Sequence, residues 1–369
     1  MKNKEVSQMI RLSKHQLFSL MFIFEVGSTS LFALGIDAKQ DAWIVILLAL
    51  LIGLGFVWIY TEIQNAFPDK NYVDIILTVL GKKLGIPLIL LTLLGCFWHC
   101  ARNLREFGEL IIITTLPEAP LLPIDFIFVL VVIYVLIRGT EVLARASEII
   151  MPILFIFMIS LYILVYISGD VNFTNLTPVL GDGIKPVLEN VPSVVAFPFG
   201  EMFVFLMYWN YADEKKDVRK TAMKAILYSG MLLCITVIMD ITALGVKYTS
   251  MATIPLVETV RLVNIGNIIT NIDVIAVLII FFGGFFKMAV YLNAIVIILT
   301  TLFKINKRKL TIILVSSVLL WFAMVFEPSY VFHQWMFPFD VNYFGIVYIN
   351  IAPLILLIIY KIKKRRTLL

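Results

Sequence analysis

Apolar runs long enough to cross a bilayer recur ten times along this chain, and that recurrence limits its folds more than any other feature. A spanning helix needs about 20 apolar residues. The runs are 12–35, 41–64, 84–115, 122–138, 145–168, 190–211, 221–246, 269–303, 310–326 and 341–361. Lipid gives the backbone no hydrogen-bond partners, so each run is expected to be helical. The longest connections, near 64–83, 169–189 and 247–268, are too short for a soluble domain. The expectation is an all-α integral membrane protein with one polytopic domain over residues 1–369. Composition agrees, with 61% hydrophobic and 15% charged residues, where soluble domains carry about 25% charged residues. No small-residue cleavage site follows the first run, which is read as an uncleaved first helix rather than a signal peptide.

Lysines and arginines in short loops report orientation. With the N-terminus and every second connection assigned to one side, that side holds 23 basic residues. The other side holds four, Lys39, Lys185, Lys247 and Arg261. Both termini are therefore expected in the cytoplasm. The net charge of +5 is this topological signal and points to no nucleic acid. The tail "KIKKRR" either anchors the last span or attracts anionic lipid.

Ten spans divide into two sets of five, one starting inside and the other outside, so the halves, about 12–168 and 190–361, run with inverted topology. The first helix of each half is interrupted. Run 12–35 holds Glu25, Gly27, Ser28, Thr29 and Ser30 near its middle, and run 190–211 holds Pro198, Gly200 and Glu201. Such residues weaken or break a helix. Broken backbone at membrane depth is tolerated only against protein or a cavity. Matching breaks in both halves point to a midplane binding site, whereas a single break would be read as a packing kink.

The stretches "NLTPVLGDGIKPVL", "GTEVLARASEIIMPI" and "TIPLVETVRLVNIG", with "EVGSTS" and "LREFGELIIITTLPEAP", resemble the B-subunit permeases of bacterial spore germination receptors. These are a branch of the amino acid–polyamine–organocation transporter superfamily. The resemblance covers essentially the whole chain. It implies two inverted five-helix repeats with broken first and sixth helices, and nutrient binding rather than an enzymatic reaction. It also implies a larger membrane A-type subunit and a lipoprotein C-type subunit as partners, in the spore inner membrane.

Candidate ligand residues follow from the breaks. Backbone amides from Gly27 through Ser28, Thr29 and Ser30 open a helix segment whose N-terminus suits a carboxylate. The resemblance places a substrate carboxylate there; packing of small residues is the other reading. Gly200 has the same geometric part in the sixth span, with Phe197 and Phe199 as candidate pocket walls. Glu201 pairs a cation, caps a half-helix or is a neutral acid at this depth. Cys96 and Cys100 are one turn apart, unsuited to a disulfide. With His99 they faintly resemble a soft-metal site, but small buried apolar residues are the favoured reading. The resemblance gives both cysteines a cavity-facing position. Gly283 and Gly284 permit close helix approach, and Gly284 is a further ligand candidate. Lys287 stands alone in a long apolar run and, with Glu25 and Glu201, is a candidate for ion or proton coupling, while snorkelling to an interface or pairing with Glu25 or Glu201 is the other reading. In sodium-coupled relatives the first and eighth helices hold sodium, which a fixed ammonium would replace. A proton-coupled branch carries its lysine in the fifth span, which has none here. Arg102 with Glu106, and Arg105 with Glu109, are spaced to pair along one helix. Leu256, Val260 and Val263 have helical spacing that suits an outer lid, an interfacial helix or a partner contact.

No zinc-binding HExxH, GxSxG or phosphate-cradling loop occurs. Neither enzyme activity, cofactor nor metal is expected. Two functions remain: a germinant-binding receptor subunit for a nutrient, foremost an amino acid, and a proton-coupled amino acid transporter on the same pocket.

Overall fold

The computed structural model describes residues 10–263 and 273–366. Among them, nine helices are long and apolar enough to cross a membrane. They are Ile36–Ala66, Tyr72–Thr114, Leu121–Arg138, Thr140–Ser168, Lys185–Met207, Lys215–Leu244, Val274–Phe303, Arg308–Phe326 and Tyr343–Arg365. The expected first span falls short of that length because it is broken. Helix α1 (Lys14–Val26) starts at a capping box in which the Ser13 hydroxyl accepts from the Gln16 amide and the Gln16 side chain accepts from Ser13 N–H. It stops at Gly27, whose φ of 0° and ψ of −120° are not helical, and resumes as the 3₁₀ turn Ser28–Leu31.

The sixth span breaks in the same manner. Helix α6 (Lys185–Ala196) ends where Phe197 becomes extended, and Phe199–Met207 continues as a 3₁₀ helix. The second half is therefore not the α-helix expected from hydropathy. A 3₁₀ run of nine residues is long, since most stop at about three or four.

Helices α2 (Ala42–Ala66), α3 (Tyr72–Thr114), α4 (Leu121–Arg138) and α5 (Thr140–Ser168) complete the first half. α3 is two helices joined at Gly81, whose φ is +71°. An added Cβ would meet nothing within 4 Å there, so the glycine is required by its backbone angle and not by space. The expected span 84–115 corresponds to the second piece. α5 begins at Thr140, five residues before the expected 145, so "GTEVLARASEIIMPI" lies largely inside it.

In the second half, α7 (Val218–Leu244), α8 (Val246–Met251), α9 (Pro255–Arg261), α10 (Asp273–Phe303), α11 (Arg308–Phe326), α12 (Tyr330–Phe339) and α13 (Ala352–Arg365) follow. The expected start of the eighth span at 269, like the end of "TIPLVETVRLVNIG", lies outside the described residues. Residues Asp340–Gly345 and Val347–Ile351 wind as π-helix before Pro353. Proline has no N–H to bond the carbonyl four residues back, and that carbonyl, on Ile349, accepts instead from the Tyr60 hydroxyl at 2.9 Å.

Burial separates two layers. The best spanning windows of Lys185–Met207, Lys215–Leu244 and Val274–Phe303 are 78%, 72% and 67% buried, against 28% for α4, α5 and α11. The latter therefore face the lipid, and the former build the centre. There α10 packs against α3, and the broken segments after Gly27 and Pro198 pack against α10. α1 lies on α7 and α5, and α2 on α7.

Candidate functional site

The centre is polar because α3 carries a stripe. His99, Arg102, Asn103 and Glu106 fall at i, i+3, i+4 and i+7, which puts them on one helical face. All four turn toward the broken segments and line one small internal cavity with Ser28, Phe197, Glu201, Lys287, His333 and Phe337. About 30 Å³ is open inside it, room for about two waters at roughly 10–15 Å³ each.

A charge at this depth is costly unless paired. Lys287, only 2% exposed, lies with its Nζ 2.6 Å from Glu201 Oε2, a close ion pair whose angles fall outside those of a hydrogen bond. Its ammonium also stands 4.2 Å from the Phe197 ring centroid and 5.6 Å from that of Phe24, within the range of cation–π attraction. The Tyr291 hydroxyl donates to Glu201 Oε1 at 2.7 Å, and the His99 ring stacks on Tyr291. Lys287 and Tyr291, one turn apart on α10, thus hold Glu201 between them.

A second pair closes the opposite wall. Arg102 donates through Nη1 to Glu327 Oε1 at 2.6 Å and through Nη2 to the His333 carbonyl at 2.8 Å. His333 Nδ1 lies 2.7 Å from Glu327 Oε2. Arg102 thus reaches across to the segment between α11 and α12, where the sequence suggested Glu106. Arg105 and Glu109 pair along α3 as expected, at 2.5 Å.

Above this cavity is a larger one of about 470 Å³, open to the face that carries loops 32–37 and 249–255. Its wall includes Asp37, Glu189, Asn190, Thr253 and Gln334. Phe197, His333 and Phe337 border both cavities. Between the two, Phe32, Phe197 and Phe337 pack as a triad with centroids 5.4–6.2 Å apart. Phe32 follows the first break, Phe197 is the second break, and Phe337 belongs to α12.

The structure brings Ser28, Phe197, Glu201 and Lys287 to the inner cavity. The other residues singled out in the sequence lie elsewhere. A Cβ on Gly27 would stand 3.1 Å from the Gly283 carbonyl oxygen, and one on Gly283 would overlap the Gly27 backbone at 2.4 Å. These two glycines let the first break touch α10. A Cβ on Gly200 would meet Ile349 and Asn350, and one on Gly284 would meet the Phe107 ring. Phe199 turns toward Gly53 on α2 and Gly230 on α7. The Cys100 thiol faces the Met288 carbonyl at 3.6 Å, and Cys96 is fully buried without bordering either cavity. The Ser30 hydroxyl donates to the Gly27 carbonyl, while the Thr29 hydroxyl and both Glu25 oxygens are buried without a hydrogen-bond partner. Glu25 sits in the field of Glu201 and Lys287. Leu256, Val260 and Val263 are buried, and Thr259 of α9 donates to Asp240 of α7 at 2.7 Å. The polar stripe of α3 and the residues His333 and Phe337 meet at one site, of which the sequence carries only the stripe's helical spacing as a signal.

Residues 11–331 match the spore permease family, described as spore germination protein. The chain belongs to that family. It is 36% identical over 298 residues to spore germination protein KB of Bacillus subtilis (strain 168), covering 80% of this chain and 79% of that one. Spore germination protein XB of Bacillus anthracis is 21% identical over 341 residues, covering 88% and 91%. Among solved structures, MhsT in complex with L-phenylalanine superposes with a TM-score of 0.72 at 16% identity, over 95% of this chain and 88% of that one. Mhp1, a nucleobase-cation-symport-1 family transporter closed on bromovinylhydantoin, gives 0.65 at 15% identity, over 92% and 78%. The family member thus has the helical membrane fold of these transporters, with inverted repeats, as the breaks suggested. It is an integral membrane germination receptor subunit and not an enzyme.

Proposed function

We propose that this subunit senses a nutrient, foremost an amino acid, in the inner polar cavity, and passes the bound state to a larger A-type membrane subunit and a lipoprotein C-type subunit in the spore inner membrane. The observation that carries the reading is the pair of stacked cavities separated by Phe32, Phe197 and Phe337. The ligand reaches the vestibule from outside, displaces the triad and settles among Ser28, Phe197, Glu201 and Lys287. The inner space is too small for an amino acid while the triad is closed, so binding and rearrangement of the breaks are linked. Differential affinity for the open and closed arrangements then drives the signal. Gly27 to Ser30 supply backbone amides at the first break, and Glu25, Glu201 and Lys287 set the charge of the centre. Both termini are cytoplasmic in this reading, and the chain forms one membrane domain of two repeats.

The test fills the cavity. Ser28→Leu is expected to abolish germination at nutrient concentrations that saturate the wild type, with the response normalised to the subunit's amount in spore membranes. An unchanged half-saturating concentration would place the site elsewhere. The transporter reading has the likeness to solved transporters in its favour. Concentrative uptake of labelled amino acids by proteoliposomes holding this chain alone would decide for it.

A further inference from the structure

Two ion pairs hold the walls of the inner cavity. Lys287 is committed to Glu201, and Arg102 to Glu327, each at 2.6 Å. Glu106 belongs to neither of these pairs. It is 8% exposed, lines the cavity, and its Oε1 is buried with no hydrogen-bond partner. Lys287, Arg102, Glu201 and Ser28 line the same cavity. One turn before it on the same face, Asn103 is 5% exposed and lines the same cavity, with its Oδ1 also buried and unpartnered. Two orphaned acceptors therefore belong to residues that line a space roofed by the rings of Phe197 and Phe337.

A carboxyl oxygen without a hydrogen-bond partner, an amide carbonyl oxygen and aromatic faces make a receptor for a positive group with hydrogen-bond donors. An ammonium fits, because its N–H donors satisfy both oxygens and its charge is attracted to ring faces. A bare metal ion fits poorly. Calcium takes about six to eight oxygens, and among the described residues no group of three His, Cys, Asp or Glu side chains that could hold a metal ion occurs. Leaving both acceptors empty carries the cost of unsatisfied buried polar atoms, which a ligand relieves.

We infer that Glu106, assisted by Asn103, is the seat of the germinant's ammonium group, so that the site selects amines over sugars and hydroxy acids. The inference rests on the inner cavity being the ligand site. The ammonium enters beneath the aromatic triad, takes Glu106 Oε1 and Asn103 Oδ1, and leaves the Lys287–Glu201 and Arg102–Glu327 pairs in place. The rest of the ligand occupies the room opened by the displaced rings.

The experiment uses the full chain in lipid nanodiscs, with ligand affinity read from thermal stabilisation. The probes are L-alanine, L-valine, L-leucine and L-phenylalanine, their 2-hydroxy acid counterparts, D-glucose and potassium chloride. At least one amino acid is expected to stabilise the wild type while its hydroxy acid does not. Glu106→Gln should weaken that amino acid between about tenfold and a hundredfold, the range for losing a charged hydrogen bond, and Asn103→Ala by less. If Glu106→Gln does not assemble, Glu106→Asp keeps the charge and withdraws it by one methylene, and should still weaken the amino acid. The assignment is overturned if no amino acid stabilises the wild type, if a hydroxy acid, glucose or potassium binds as tightly as any amino acid, or if the Glu106 variants bind within twofold of the wild type. Ser28→Leu separates the two levels. Loss of binding in Ser28→Leu with unchanged binding in Glu106→Gln rejects the ammonium seat and keeps the cavity. Unchanged binding in Ser28→Leu rejects the cavity itself.

Discussion

Lys287 and Glu201 stand between two constraints at the residue scale. Removing one member of a buried ion pair strands the other charge, which costs about 3–5 kcal/mol, whereas replacing both by apolar or neutral groups is often tolerated. Lys287→Ala is therefore expected to lower the amount of subunit in the membrane. The double variant Lys287→Met with Glu201→Gln should recover that amount while changing the germination dose–response, as read from immunoblots and dose–response curves on the same spores. Recovery of both together would reduce the pair to scaffolding. Gly27 carries a different expectation. A side chain there meets the Gly283 carbonyl oxygen at 3.1 Å, so it pushes α10 away from the first break. Gly27→Ala and Gly283→Ala should each destabilise the bundle by about 1–3 kcal/mol, as overpacking does. Their thermal midpoints in nanodiscs should fall relative to the wild type.

At the scale of elements, the breaks derive their shape from neighbours. The tenth span loses one internal bond at Pro353, and Tyr60 of α2 supplies the missing donor. Tyr60→Phe leaves the Ile349 carbonyl without that donor and should cost about 1–3 kcal/mol, visible as a lower melting temperature in nanodiscs. The aromatic triad is assembled from three elements, and its function as a barrier has a direct readout. With Asn103→Cys in the cavity, a thiol reagent added from the vestibule side should react slowly. Adding Phe337→Ala should accelerate labelling by about tenfold or more. Native cysteines give little background, since Cys96, Cys100 and Cys234 are buried. Equal rates in the two backgrounds would show that the rings do not seal the cavity.

The whole molecule has a polarity that the loops encode. Thr177 and Thr253 are exposed on connections assigned to the outer side, and Thr253 lies on the vestibule wall. Cysteines at both should be labelled by an impermeant reagent from outside. Labelling only from the cytoplasmic face would invert the topology and turn the vestibule inward, and with it the direction from which the nutrient arrives.

Hydropathy and basic residues act locally, so the sequence alone determined where the long apolar helices lie and which sidedness to expect. The breaks at Gly27 and Pro198 were legible too, because glycine and proline disturb a helix wherever they sit. The stripe His99, Arg102, Asn103 and Glu106 was written at helical spacing, but its meaning was not, since i,i+4 charges can equally pair with each other. Only tertiary structure decided that Arg102 reaches Glu327, that Lys287 takes Glu201 rather than Glu25, and that Phe337 closes over the centre. It also decided that Gly27, Gly200 and Gly284 present their side-chain directions to neighbouring helices and not to the cavity. Those choices join residues from tens to more than two hundred positions apart, and sequence spacing carries no distance between separate helices. What selects them is the cost of an unpaired charge in a medium without water, which is settled only when the helices have packed.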